Sequence, residues 1–114
     1  MVDCVFCRIV EGTVPAQKVD DTERVLAFRD VNPMAPTHVL LIPKQHVADS
    51  AAQLGAEHAA MLIELFSLAA RVARDEGLER GWRLVTNVGP EAGQSVHHLH
   101  FHLLGGRPLR WPPG

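Results

Sequence analysis

Residues Gly93–Arg107 read GQSVHHLHFHLLGGR. Within them His98, His100 and His102 recur at every second position, separated by Leu99 and Phe101. An apolar run closed by Gly105-Gly106 predicts a strand, and strand side chains alternate between faces. The three imidazoles then share one face, preceded on it by Val96, while Leu99, Phe101 and Leu103 point the other way, toward a core. A single histidine in a strand is most often a satisfied structural residue. Three in a row, about 7 Å from one to the next, form a polar stripe that is costly to bury. Such a stripe calls for a metal, an anion or a reacting group.

The chain around it has 114 residues and a net charge of −2, which fits one domain over residues 1–114. No block of Lys or Arg offers the electrostatic footprint of a nucleic-acid binder. No apolar run approaches the ~20 residues of a membrane span, and the start of the sequence lacks a signal-type apolar stretch. A cytoplasmic location is the expectation, where the two cysteines stay free thiols. Seven histidines are the compositional oddity.

Cys4 to Glu11 has apolar residues at helical spacing and predicts a short helix ended by Gly12. Val19 to Asp21 and Arg24 to Asp30 read as a hairpin, and Val31 to His38 as a Pro-interrupted loop. The continuous apolar run His38 to Pro43 marks a central strand covered on both faces. Glu57 to Glu76 predicts the one long helix, with Leu62, Leu65, Phe66, Ala69, Val72 and Ala73 as core stripe. Met61, Ile63 and Leu68 widen that apolar surface, which points either to a dimer partner or to a covering loop. Trp82 to Asn87 is a further strand, and Asn87 to Gln94 a Gly-containing loop leading into the histidines. The fold class expected is α+β, with a mainly antiparallel sheet.

Imidazoles in this arrangement either ligate a metal or handle a phosphate, one ring attacking phosphorus while others bind or protonate. The surroundings favour phosphate: Gly93-Gln94-Ser95 offers N–H groups and a hydroxyl, and His38 and Asn87 stand at neighbouring strand ends. A nucleophilic imidazole needs an acceptor on its second nitrogen, which a residue two places earlier can supply.

With these residues in view, His98-Leu99-His100-Phe101-His102-Leu103-Leu104 resembles the His-x-His-x-His-x-x motif of the histidine triad family. The segment FRD ending at Asp30, APTHVLLIPKQH from Ala35 to His46, the Asn87–Gln94 loop and the closing WPPG are similar to its Hint branch, which contains nucleoside phosphoramidases. The resemblance implies a five-stranded antiparallel sheet with one long and one short helix. It also implies a homodimer whose long helices and fifth strands meet to make one continuous sheet. It implies that His100 attacks the α-phosphorus of a purine nucleoside 5′-phosphoramidate, such as AMP joined to ammonia or lysine. His102 would bind phosphate and help protonate the leaving group, His38 would complete the relay, and His98 counts with them in the catalytic set. Ser95, Asn87 and Gln94 would hold the phosphate region and Asp30 the ribose. Phe6, Ile9, Phe28 and Leu40 would wall the base site, though each also fits a plain core role. Trp111 would reach toward the partner's site or simply cover apolar surface.

The Cys4-Val5-Phe6-Cys7 segment resembles a bacterial subset of the family that carries a zinc site. The matching ligands would be Cys4, Cys7, His46 and His98, a closed structural Zn²⁺ site not required for the hydrolysis. Without zinc the two cysteines are buried thiols. His97, His58, Arg107 and Arg110 read as structural or surface residues. Two other functions compete: a dinucleoside polyphosphate hydrolase, whose marker Gln after the triad is replaced here by Leu104-Gly105, and a non-catalytic nucleotide sensor, against which the complete set of four histidines argues.

Overall fold

The run Thr37–Pro43, apolar from Val39 onward, is buried along its whole length and forms the middle of the molecule. The computed structural model describes residues 4–114. In chain order it contains α1 (Val5–Glu11), β1 (Lys18–Asp21), β2 (Val25–Arg29), β3 (Thr37–Pro43), α2 (Ala59–Asp75), β4 (Trp82–Val85) and β5 (Phe101–Gly105). The strands make one antiparallel sheet in the order β1-β2-β3-β5-β4.

Strand alternation divides the core into two layers. Val25, Ala27, Val39, Leu41, Leu99, Phe101 and Leu103 face α2 and meet Met61, Leu65, Leu68, Ala69, Val72 and Ala73. On the opposite face Leu26, Phe28, Leu40 and Ile42 pack with Phe6 and Ile9 of α1. The short helix starts at Cys4, whose sulfur accepts the Cys7 N–H at 3.2 Å, and stops at Gly12 with φ +87°. Arg29 at the end of β2 donates to both Glu76 oxygens, at 2.8 and 3.0 Å, and so ties the sheet to the C-terminal end of α2.

Several expectations are corrected. Hydrogen-bonded pairing of the histidine strand begins only at Phe101, opposite Leu41. Further back, β3 runs out at Pro43, which has no N–H, and the Leu99 N–H goes to Ala48 O at 2.9 Å instead. His98 and His100 thus sit in a lead-in segment, yet alternation persists: Leu99 belongs to the α2 layer and Val96 packs on the α1 layer. The long helix begins after a 3₁₀ turn at Ala56–His58 and ends at Asp75. Its buried stripe is rotated toward Met61 and Leu68, leaving Ile63 70% and Phe66 52% exposed. Strand β5 lies between β3 and β4 and has both edges paired, so the free edges are β1 and β4; fifth strands cannot meet across a dimer. No helix among the described residues is long and apolar enough to cross a membrane.

Candidate active site

The site is built where β5 and its lead-in cross the β3 strand on the α1 face. The Nδ1 of His100 lies 2.7 Å from the carbonyl oxygen of His98. A carbonyl only accepts, so Nδ1 carries the hydrogen and the lone pair of His100 sits on Nε2. The main chain there is pinned by Thr86, whose hydroxyl donates to the His100 carbonyl at 2.8 Å. The edge of Phe6 meets the His100 ring at 5.1 Å between centroids, and His102 lies on another side at 5.1 Å.

His38 and His102 form a relay whose polarity can be read. The Met34 N–H donates to His38 Nδ1 at 3.0 Å, so the His38 hydrogen is on Nε2. That Nε2 lies 2.9 Å from His102 Nδ1 and 3.4 Å from Asp30 Oδ2. Donation to His102 Nδ1 leaves His102 with its own hydrogen on Nε2. Burial, then the charges of His100 and His38, push His102 down to about 4. Burial also pushes His38 down, against the pull of the Asp30 carboxylate. Both rings are accordingly neutral near pH 7. The result is a bare imidazole nitrogen on His100 next to an N–H donor on His102. Such a pair can attack an electrophile and protonate what leaves.

Behind His100 lies a second cluster. The Nδ1 of His98 is 3.2 Å from Cys4 Sγ and 3.6 Å from Cys7 Sγ, and Cys7 Sγ is 3.7 Å from His46 Nδ1. The four donor atoms lie within 4.8 Å of one another. Tetrahedral zinc at its usual bond lengths sets its ligands about 3.3–3.8 Å apart, close to these spacings. Both rings are also in the right tautomer. His98 donates Nε2–H to Pro43 O at 2.9 Å, and His46 donates Nε2–H to Asp49 Oδ1 at 2.7 Å, so both Nδ1 lone pairs face the sulfurs. Burial and then the neighbouring Cys4 push the Cys7 thiol up to about 11, whereas at Cys4 burial is outweighed by hydrogen bonds with Cys7 and His46, which push it down, so it is Cys7 that needs a cation to become a thiolate. The cluster fits Zn²⁺ with no open position. A second trio, Asp30, His38 and His102, also brings ligand atoms together, but its imidazole lone pairs already accept from Met34 N–H and from His38 Nε2–H.

The remaining expected site residues fall into distinct places. Asp30 is half-buried beside His38, its Oδ1 accepting the Asn32 N–H at 2.8 Å. Asn87, half-buried, and Ser95, exposed, lie on the loop between β4 and His98. Both ends of Gln94 are turned inward: Oε1 accepts the Gly89 N–H, and Nε2 donates to Asp49 O and Val96 O. Phe6, Ile9, Phe28 and Leu40 are buried together under α1, and of these Phe6 touches the His98 and His100 rings. Trp111 is 82% exposed, with the Arg83 guanidinium 6.0 Å from its ring, and contributes to no part of the histidine group in this chain. Asp49, Thr86 and the Met34 N–H escaped the sequence reading. For Asp49 the signal was a carboxylate three residues after a candidate histidine ligand; for the other two there was none.

The family profile described as HIT domain matches residues 11–109. The chain is 48% identical to a "14 kDa zinc-binding protein" of Zea mays, over 96% of this chain and 87% of that one. It is 44% identical to "Adenylylsulfatase HINT1" of Arabidopsis thaliana, over 96% of this chain and 76% of the relative. Among solved structures, a HIT family hydrolase from Legionella pneumophila Philadelphia 1 superposes with a TM-score of 0.94 at 46% identity, covering 98% of this chain and all of the other.

Proposed function

The chain belongs to the HIT domain family, and we propose that it is a hydrolase that cleaves the P–N bond of purine nucleoside 5′-phosphoramidates. The reading is carried by the hydrogen bond from His100 Nδ1 to the His98 carbonyl, which leaves Nε2 as the only basic nitrogen of that ring. His100 Nε2 attacks the α-phosphorus and the P–N bond breaks. The departing amine takes a proton through His102 Nε2–H, resupplied from solvent water so that His102 and His38 stay neutral beside Asp30, and a nucleotidyl-histidine remains. The positive charge that His100 gains is met by the His98 carbonyl. Water then attacks the same phosphorus, releasing the nucleoside monophosphate and returning the proton. Ser95, Asn87 and Gln94 border the phosphate, Asp30 takes the ribose hydroxyls, and Phe6, Ile9, Phe28 and Leu40 back the base. A second leaving group, sulfate, is favoured by the name of the Arabidopsis relative, and the same nucleophile would serve.

Cys4, Cys7, His46 and His98 hold a Zn²⁺ in this reading, and the metal supplies a cross-link between α1 and the sheet. Their side chains orient each other and stay out of the reaction, while the His98 carbonyl serves His100. Two free thiols suit a reducing compartment, and we place the protein in the cytoplasm as a single HIT domain over residues 1–114. The exposed Ile63 and Phe66 of α2 and the unpaired edge of β4 support a homodimer. Trp111 would act across it.

The test is turnover of adenosine 5′-phosphoramidate, an AMP–lysine conjugate and adenylyl sulfate by the parent chain and His100→Ala, with the zinc content measured. Removal of the nucleophile is expected to cost at least about 10³-fold in kcat, while AMP still binds and mild chelation leaves parent turnover in place. AMP binding without turnover of any of the three in the parent refutes the hydrolase reading.

A further inference from the structure

Asp49 belongs neither to the histidine stripe nor to the four-ligand cluster, yet three hydrogen bonds converge on it. Its Oδ1 accepts the His46 Nε2–H at 2.7 Å, its N–H donates to Gln53 Oε1 at 2.7 Å, and its carbonyl accepts from Gln94 Nε2 at 2.8 Å. Gln94 in turn clasps its own loop, accepting the Gly89 N–H at 3.0 Å and donating to Val96 O at 3.1 Å. One residue earlier, Ala48 O receives the Leu99 N–H from between two of the stripe histidines. A side chain 54% exposed is not there for packing, and an exposed ion pair adds little stability. Its geometry is informative: the carboxylate decides which nitrogen of His46 is bare.

We propose that Asp49 is a positioning residue that ties the Cys4–Cys7–His46–His98 cluster to the Gly89–Val96 loop. The inference rests on the zinc reading above. With the carboxylate in place, His46 keeps its hydrogen on Nε2 and turns Nδ1 to the sulfurs. Without it, the hydrogen is free to move to Nδ1, and the ring then presents a donor where a ligand is needed. The same residue's carbonyl fastens the loop that leads to His98. The His98 ring is in the cluster while its carbonyl holds the His100 Nδ1–H. One aspartate therefore serves the metal through its side chain and the loop through its main chain.

The experiment compares zinc affinity, by competition with a chromophoric chelator, in the parent chain, Asp49→Ala, Asp49→Asn and Gln94→Ala. It also takes KM and kcat for adenosine 5′-phosphoramidate. Asp49→Ala is expected to bind zinc about 10–100-fold more weakly. Asp49→Asn, whose amide oxygen still accepts the Nε2–H in an unchanged shape, falls between it and the parent and guards against a folding artefact. Gln94→Ala keeps parental zinc affinity and raises KM. Parental zinc affinity in Asp49→Ala overturns the side-chain role, and an unchanged KM in Gln94→Ala overturns the loop tie. A parent chain without zinc removes the zinc reading and this proposal together. Zinc binding without turnover refutes only the phosphoramidase reading and leaves the affinities to decide Asp49.

Discussion

Acidification from pH 7.5 to 5.0 should cost this fold stability through His102, by an amount that can be worked out. The ring titrates near 6.5 in an unfolded chain and is pushed down to about 4 in the fold, by burial first and then by His100 and His38. Between these values the unfolded chain binds more protons than the folded one, so stability rises with pH across that window. The contribution is complete above about pH 6.5 and is lost as the pH falls toward 4. Linkage over 7.5 to 5.0 amounts to about 2 kcal/mol for this one group, and partial solvent access trims it to about 1–2 kcal/mol. The groups that face the ring are His38, His100 and Asp30, so the neutral state is imposed by burial and by two neighbouring imidazoles against a single carboxylate. Urea unfolding of the parent and of His102→Gln at both pH values measures it. The Cys4–Cys7–His46–His98 cluster is the same in both chains and cancels in the difference between them. His102→Gln should lose about 1–2 kcal/mol less than the parent on acidification. Equal losses, within about 0.3 kcal/mol, would refute the claim that the fold holds this ring neutral.

Two other expectations concern packing and assembly. Leu103 is fully buried between β5 and α2, and Leu103→Ala should lower the unfolding free energy by about 2–5 kcal/mol in urea titrations; a loss under 1 would mean that this layer collapses around the gap. Ile63→Glu combined with Phe66→Glu should shift sedimentation from dimer to monomer, with a modest fall in the unfolding midpoint as the partner is lost and the edge contact of Phe66 with Phe101 goes. An unchanged sedimentation coefficient would remove the α2 face from the interface.

The amino-acid sequence by itself determined the elements that have a strong local period. The continuous apolar run after His38, to Pro43, had to be an inner strand, and the alternation from Val96 to Leu103 had to put the histidines on one face, because pleating leaves no other choice. That part survives even though hydrogen-bonded pairing begins only at Phe101. Sequence order also flagged all four cluster ligands, through a family resemblance, since sulfur and imidazole types are visible one at a time. Tertiary structure decided what depends on distance between remote segments. That β5 is internal and β4 an edge follows from strand order, on which local periodicity is silent. Which helix face is buried turned on a rotation that hides Met61 and Leu68 and exposes Phe66; an apolar surface wider than one stripe fits either setting. The tautomers were beyond reach for the same reason. A carbonyl of Pro43, an N–H of Met34 and a carboxylate of Asp49 choose which nitrogen of each imidazole is bare, and two of those three partners are main-chain groups that every sequence contains. Residue types put the imidazoles in one place; only the folded chain set which nitrogen of each is bare.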